Sequence, residues 1–143
     1  MPRGVAVALR WLPAALYAAF IWHVSAMSNP SFVPVAQVPF QDKGVHFLVY
    51  GILALLVAGA ALGTWMRWPK VAVFLLAVAA PILWGALDEF HQSFVTGRHS
   101  DVLDLAADAL GALTGAALCV GSAYLFRRLR SHADRGARPP DGG

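Results

Sequence analysis

Charged side chains are absent from four long stretches of this 143-residue chain. No Asp, Glu, Lys or Arg occurs in residues 11–41, 44–66, 71–87 or 109–126. A helix needs about 20 apolar residues to cross the hydrocarbon core of a bilayer, and lipid offers no partner to backbone groups outside a helix or a closed barrel. The pattern therefore predicts an all-α membrane protein, built as a bundle of four transmembrane helices.

The spans divide the chain into a membrane domain, residues 1–130, and a short tail. We place the four spans near Ala6–Met27, Gly44–Met66, Val71–Phe90 and Val102–Phe126. The tail, residues 131–143, has no apolar periodicity and is predicted to be disordered. A basic start followed by the tripeptide Val24-Ser25-Ala26 leaves a cleaved signal peptide as an alternative for the first span.

The composition narrows the class of protein further. Apolar residues make up 58% of the chain and charged residues 13%, which is outside the range of ordinary water-soluble domains. The single cysteine, Cys119, cannot form a disulfide within the chain. The excess of basic residues is concentrated in the tail beside an apolar span. This position indicates that the basic residues orient the protein in the membrane and do not bind nucleic acid. No nucleic-acid partner is expected.

The basic residues also predict an orientation. The chain has eleven Lys and Arg residues, and all except Lys43 and Arg98 fall on the side of the two termini. Because cytoplasmic segments carry the excess of basic side chains, we predict an N-in/C-in topology with a cytoplasmic tail. The outer segment 30–40 is apolar but interrupted by prolines, and we expect it to lie across the interface or to fold over the bundle as a lid.

Acidic, basic and phenolic side chains are aligned at the outer start of the second helix. Asp42, His46 and Tyr50 are spaced four residues apart, so they share one face, and Lys43 lies beside them. The third helix brings a similar set to its outer end. There, Gly85, Asp88 and Gln92 fall within a narrow arc and Glu89 is adjacent.

The fourth helix carries the clearest pattern. Asp101, Asp104, Asp108, Gly111 and Gly115 step by three and four residues and therefore lie on one face. Since small-xxx-small faces bring transmembrane helices close together, we expect these glycines to pack the fourth helix against the third, with the carboxylates pointing into the bundle. Asp101 and Asp104 also fit a helix cap with an acid in the first turn, which would need no ligand.

Three helices thus bring ionisable groups to one depth, near the outer boundary of the hydrocarbon. The turn before the fourth helix adds Arg98 after Gly97, and we expect Arg98 to neutralise the acids, with Lys43 in a secondary role. An ionisable group inside a membrane is a functional hypothesis by default, because its burial is costly. The sequence therefore predicts one polar site at the outer face.

Two blocks of this sequence resemble a known family. Residues 42–51 read DKGVHFLVYG, and residues 85–104 read GALDEFHQSFVTGRHSDVLD, with Asp108 and Gly111 following. Both blocks are similar to the VanZ-like family of small membrane proteins, which is associated with teicoplanin resistance. The resemblance implies several transmembrane helices, location in the bacterial cytoplasmic (inner) membrane, and a role in the cell envelope or the glycopeptide response.

Two functions remain open. The first is a pocket that binds an anionic lipid or a lipid-linked wall precursor. Its expected ligand-binding residues are Lys43, Tyr50, Asp88, Glu89, Gln92, Arg98 and Asp108. The alternative is a membrane-embedded hydrolase or transferase in which His46 is the general base, Asp42 or Asp104 orients it, and Arg98 stabilises a developing anion.

The sequence predicts no cofactor and no resident metal, because the chain lacks an HExxH-like spacing. His46 and the surrounding carboxylates nevertheless offer nitrogen and oxygen ligands of the kind that suit zinc or manganese. A proton pathway along the acids of the fourth helix would need more ionisable groups, since residues 115–126 contain none of Asp, Glu, His, Lys or Arg. The oligomeric state is not set by any of these patterns.

Overall fold

The computed structural model describes residues 2–27, 41–96 and 101–136. Those residues form four α-helices: α1 Arg3–Ser25, α2 Gln41–Thr64, α3 Lys70–Gln92 and α4 Val102–Gly136. No strand occurs within the described ranges. The predicted all-helical fold with four candidate membrane spans is confirmed.

Each helix contains an apolar stretch that is long enough to cross a bilayer. The four candidate spans are 23, 22, 23 and 32 residues long. At a rise of 1.5 Å per residue, 22 residues extend about 33 Å, which matches the hydrocarbon thickness of about 30 Å. Pro69 precedes α3, where its missing N–H costs no helical hydrogen bond, and the internal Pro81 leaves α3 continuous.

The fourth helix is longer than its sequence predicts. It continues to Gly136, whereas the span was expected to end near Phe126 and the tail to be irregular from Ser131. The physical reason is that residues 127–135 contain neither proline nor glycine, so the helix extends beyond the apolar span, and the side chains of residues 127–133 are exposed. The remaining tail, residues 137–143, lies outside the described residues.

The interior is built from small residues, and many large apolar side chains face outward. Completely buried alanines occur on α2, α3 and α4: Ala54, Ala58, Ala61, Ala77, Ala112 and Ala116. In contrast, Leu83 and Leu118 are 66% and 62% exposed. A soluble bundle would bury such leucines, so this distribution is typical of helices that close on one another through small residues and present apolar side chains to lipid.

The two glycines of the fourth helix pack against α2, and the expectation that they pack against the third helix is wrong. A Cβ atom added to Gly111 would overlap the backbone carbonyl of Phe47, and one added to Gly115 would overlap that of Gly51. Helical periodicity identified the face correctly, but it could not say which neighbour that face meets. As a result, α2 and α4 form the most extensive helix pair of the bundle.

Candidate functional site

The polar residues of three helices meet at one end of the bundle. We call this group the polar cluster, and it consists of Lys43, His46 and Tyr50 of α2, Asp88, Glu89 and Gln92 of α3, and Asp101, Asp104 and Asp108 at the start of α4. All of its members except Asp101 lie within candidate spans, and four of those eight are acids: Asp88, Glu89, Asp104 and Asp108. The convergence expected from the sequence therefore exists among the described residues.

Lys43 joins the start of α2 to the start of α4. Its Nζ atom donates to Oδ2 of Asp101 at 2.6 Å and to Oδ1 of Asp104 at 2.5 Å. The side chains of Lys43 and Asp104 are only 17% and 10% exposed, so this ion pair is largely screened from water. Lys43 is thus an ion-pair partner of two acids, and its expected rank behind Arg98 stays a prediction.

Asp101 also caps α4, as one of the two sequence interpretations proposed. Its Oδ1 atom accepts a hydrogen bond from the backbone N–H of Leu103 at 2.9 Å, which satisfies one of the free donors of the helix start. The hydrogen bond from Lys43, supported by that from Leu103, lowers the pKa of the Asp101 carboxyl below its ordinary value. The cap and the ion pair use different oxygens of one carboxylate.

His46 is oriented by Asp108. The His46 Nδ1 atom lies 2.9 Å from Oδ1 of Asp108, and because a carboxylate oxygen accepts, Nδ1–H is the donor. The other ring nitrogen, Nε2, lies 4.0 Å from Oδ2 of Asp104, which is beyond hydrogen-bonding distance. The expectation that Asp104 orients His46 is therefore wrong, and the side chain of Asp42 lies outside the described residues. Periodicity alone did not distinguish one acid of the α4 stripe from the next.

Glu89 and Asp88 connect the end of α3 to its surroundings. Oε2 of Glu89 accepts a hydrogen bond from the backbone N–H of Asp101 at 2.9 Å. Gln92 donates its side-chain Nε2–H to Oδ2 of Asp88 at 3.1 Å, one turn along the same helix. Asp88, Glu89 and Gln92 are all buried, with exposures of 2%, 6% and 5%. The acids at this end of α3 therefore face the interior of the protein, whereas an acid that only marked the membrane interface would face water.

Gly85 lets α3 approach the other two helices beneath the cluster. A Cβ atom at this position would lie 2.6 Å from Oδ2 of Asp108 and 3.2 Å from the Tyr50 ring. The ring of Tyr50 is parallel to that of His46, with centroids 6.2 Å apart. Any side chain larger than hydrogen at Gly85 would therefore displace Asp108 or Tyr50.

Several predicted features fall outside the described residues, and others were missed by the sequence reasoning. Arg98, Gly97 and the expected lid at 30–40 are not described, so the assignment of Arg98 as the neutralising cation stays a prediction. The sequence analysis did not place Ser25 in the polar site, although this last residue of α1 is buried beside Asp88. It also missed the stacking of His91 on Trp22 at a centroid distance of 4.3 Å, which attaches α1 to α3. No periodic signal connects these residues, because they lie on separate helices.

Three of the cluster's side chains also converge closely enough to hold a metal ion. One ligand atom from each of His46, Glu89 and Asp104 lies within 4.8 Å of the other two.

The fold and this site define a class of protein, a polytopic helical membrane protein with ionisable side chains buried at one end of its bundle. Comparison with known proteins assigns the particular family.

The VanZ/LLP1 family matches residues 5–127, and the chain belongs to that family. An uncharacterized protein of the fission yeast Schizosaccharomyces pombe is 33% identical to it over 98 residues, which is 68% of this chain and 57% of the yeast protein. The chain thus spans little more than half the length of that relative. No solved structure matches. Because the similarity extends to a eukaryote, the bacterial inner membrane stays a prediction.

Proposed function

We propose that this protein binds the anionic headgroup of a membrane lipid or lipid-linked envelope precursor at the polar cluster, on the extracytoplasmic face of a bacterial inner membrane. Binding would modulate the response of the cell envelope to glycopeptide antibiotics. The observation that supports this most directly is the burial of Lys43, His46 and four acids within candidate spans, where each charge is costly to maintain. A bundle that only had to pack would not require them.

The depth of the cluster suits a headgroup. Lys43 is the first residue of its candidate span, Gln92 is the last residue of its own, and Asp104 lies in the first turn of α4. Those positions correspond to the level at which hydrocarbon meets lipid headgroups. An open apolar groove of about 320 Å³, lined by Ala19, Trp22, Trp84 and Leu87, lies between α1 and α3 near the cluster end of α3 and is suited to an acyl chain.

Lipid-dependent stabilisation tests this proposal. The purified protein in a neutral detergent is heated with short-chain phosphatidylglycerol or with phosphatidylcholine of the same chain length. We expect phosphatidylglycerol to raise Tm by several degrees more than phosphatidylcholine does, because a ligand that binds only the folded state stabilises it. Lys43→Gln should lose that difference relative to its own baseline, and Arg67→Gln, at an exposed position between α2 and α3 at the opposite end of the bundle, should keep it. Equal shifts with both lipids, or no effect of Lys43→Gln, would refute headgroup binding.

The hydrogen bond between His46 and Asp108 favours a second candidate, a membrane-embedded hydrolase or transferase. A carboxylate that accepts from Nδ1–H fixes the tautomer in which Nε2 is free to take a proton, as a general base requires. The test is release of inorganic phosphate from a polyprenyl diphosphate in mixed micelles. We expect His46→Gln to abolish release if the protein is an enzyme. If wild type releases no more phosphate than His46→Gln, the enzyme candidate fails and headgroup binding is unaffected.

A further inference from the structure

Three helices each contribute one metal-binding side chain to a single point in the polar cluster. The ligand atoms of His46, Glu89 and Asp104 lie within 4.8 Å of one another, so small side-chain rotations bring them around one ion. We propose that these three residues, the ligand triad, bind a divalent transition-metal ion, Zn²⁺ or Mn²⁺. One imidazole nitrogen and two carboxylate oxygens suit these ions, whereas Mg²⁺ and Ca²⁺ prefer oxygen alone. This site goes beyond headgroup binding and does not depend on it.

The environment of His46 is that of a metal ligand. A ligating histidine almost always donates its second ring N–H to a carboxylate or a carbonyl, which fixes the ring and raises its basicity. Asp108 provides this partner at 2.9 Å from Nδ1, and the free Nε2 atom lies on the side of Asp104. Asp108 is completely buried, so it has no role at the protein surface that would explain its presence.

A buried polar atom beside the triad lacks a hydrogen-bond partner. Among the described residues, Oδ2 of Asp108 has none, and Asp108 is completely buried. Such atoms are rare in folded proteins because each one forfeits its hydration without replacement. Water bound to a metal ion would give this oxygen a hydrogen-bond partner.

The charges of the described residues point in the same direction. Five carboxylates, those of Asp88, Glu89, Asp101, Asp104 and Asp108, share the cluster with one lysine and one histidine. A divalent ion among these acids would reduce the repulsion between their charges. Three protein ligands would leave further coordination positions open for water.

Metal content and affinity test the proposal without lipid or activity. Full-length protein without an affinity tag is stripped with EDTA in detergent, equilibrated with Zn²⁺ or Mn²⁺ at micromolar concentration, and analysed for bound metal per chain. We expect about one ion in wild type and less than a tenth of that in His46→Gln. Asp108→Asn should bind about 10 to 100 times more weakly, as is usual when the partner of a ligating histidine is changed. His91→Gln is the matched control, since His91 lies at the same end of α3 but stacks on Trp22 outside the triad.

Loss of the fold is separated from loss of the ligand by a spectroscopic readout. Co²⁺ bound to wild type should show visible absorption bands that shift when His46 is replaced, while circular dichroism shows unchanged helix content. Absence of stoichiometric metal in wild type would overturn the proposal and indicate that another cation, such as Arg98, balances the acids. Equal metal content in wild type, His46→Gln and Glu89→Gln would overturn it as well. Lipid-dependent Tm shifts measured in EDTA report on headgroup binding separately.

Discussion

The two ends of this bundle handle charge in opposite ways. At the end opposite the polar cluster, the exposed Arg10 reaches out of α1 to donate to the backbone carbonyl of Gly63 at 2.5 Å, and Trp65 stacks on Trp68 with centroids 4.6 Å apart. At the cluster end, Lys43 and Asp104 are paired inside the bundle with little exposure. The first arrangement is typical of a helix end anchored at the interface, where a cation can extend to water. The second maintains charge where water cannot stabilise it, and this difference is what identifies the site.

The largest expected effect concerns which side of the membrane each end of the bundle faces, because chemical labelling of a cysteine from one side gives an all-or-none result. The basic residues predict that the cluster end faces outward and both termini face the cytoplasm. In a Cys119→Ser background, Ser93→Cys at the cluster end should react with a membrane-impermeant maleimide in intact cells. Ser131→Cys, on α4 at the other end, should react only after permeabilisation. The reverse pattern would invert the orientation and place the cluster on the cytoplasmic face.

The next largest effect concerns the glycines just beneath the cluster. Gly111→Leu or Gly115→Leu should separate α2 from α4, because the new side chain overlaps backbone that has no room to move. We expect a loss of stability at or above the upper end for overpacking, about 3 kcal/mol. The control is Gly121→Leu, whose added Cβ atom meets nothing within 4 Å. Unfolding in a detergent titration measures all three variants, and equal stability would contradict the tight contact at the cluster end.

Removing one cation from each end compares the two environments directly. Lys43→Met should cost about 3 to 5 kcal/mol, because it leaves Asp104 buried without its partner. Arg10→Met should cost about 0 to 1 kcal/mol, as expected for an exposed contact. Adding Asp104→Asn to Lys43→Met should restore part of the loss. Similar costs at both ends would mean that the cluster is better hydrated than its burial indicates.

The smallest expected effect is that of the Asp101 charge. Asp101→Asn keeps a capping side chain and removes the charge, whereas Asp101→Ala removes both, so alanine should be the more destabilising. Because the folded pKa of Asp101 is lowered by Lys43, its charge contributes stability above its ordinary value of about 3.9 and loses that contribution as pH falls through the lowered value. The difference in Tm between wild type and Asp101→Asn should therefore be constant from pH 8 to pH 5 and shrink below about pH 4. A difference that changes between pH 8 and pH 5 would show that another group is titrating.

Most of the fold was predictable because one strong signal determines it. Stretches without charge define four helices, because a helix satisfies the backbone hydrogen bonds of an apolar segment inside a bilayer. The periodicity of α4 placed Asp104, Asp108 and Gly111 on one face. Which helix that face meets was not predictable. Periodicity describes one helix at a time, so the contact of Gly111 with Phe47 and the pairing of His46 with Asp108 depend on the relative rotation and depth of two helices, which no single-helix pattern contains.

The dominance of the α2–α4 contact has a consequence for biosynthesis. A membrane chain is delivered from its N-terminus, so Lys43 and His46 reach the bilayer before Asp101, Asp104 and Asp108 have been synthesised. Until α4 arrives, α2 has neither its main packing partner nor the acids that pair with its lysine and histidine. The partners of Lys43 and His46 in the polar cluster are therefore in place only after α4 has been inserted.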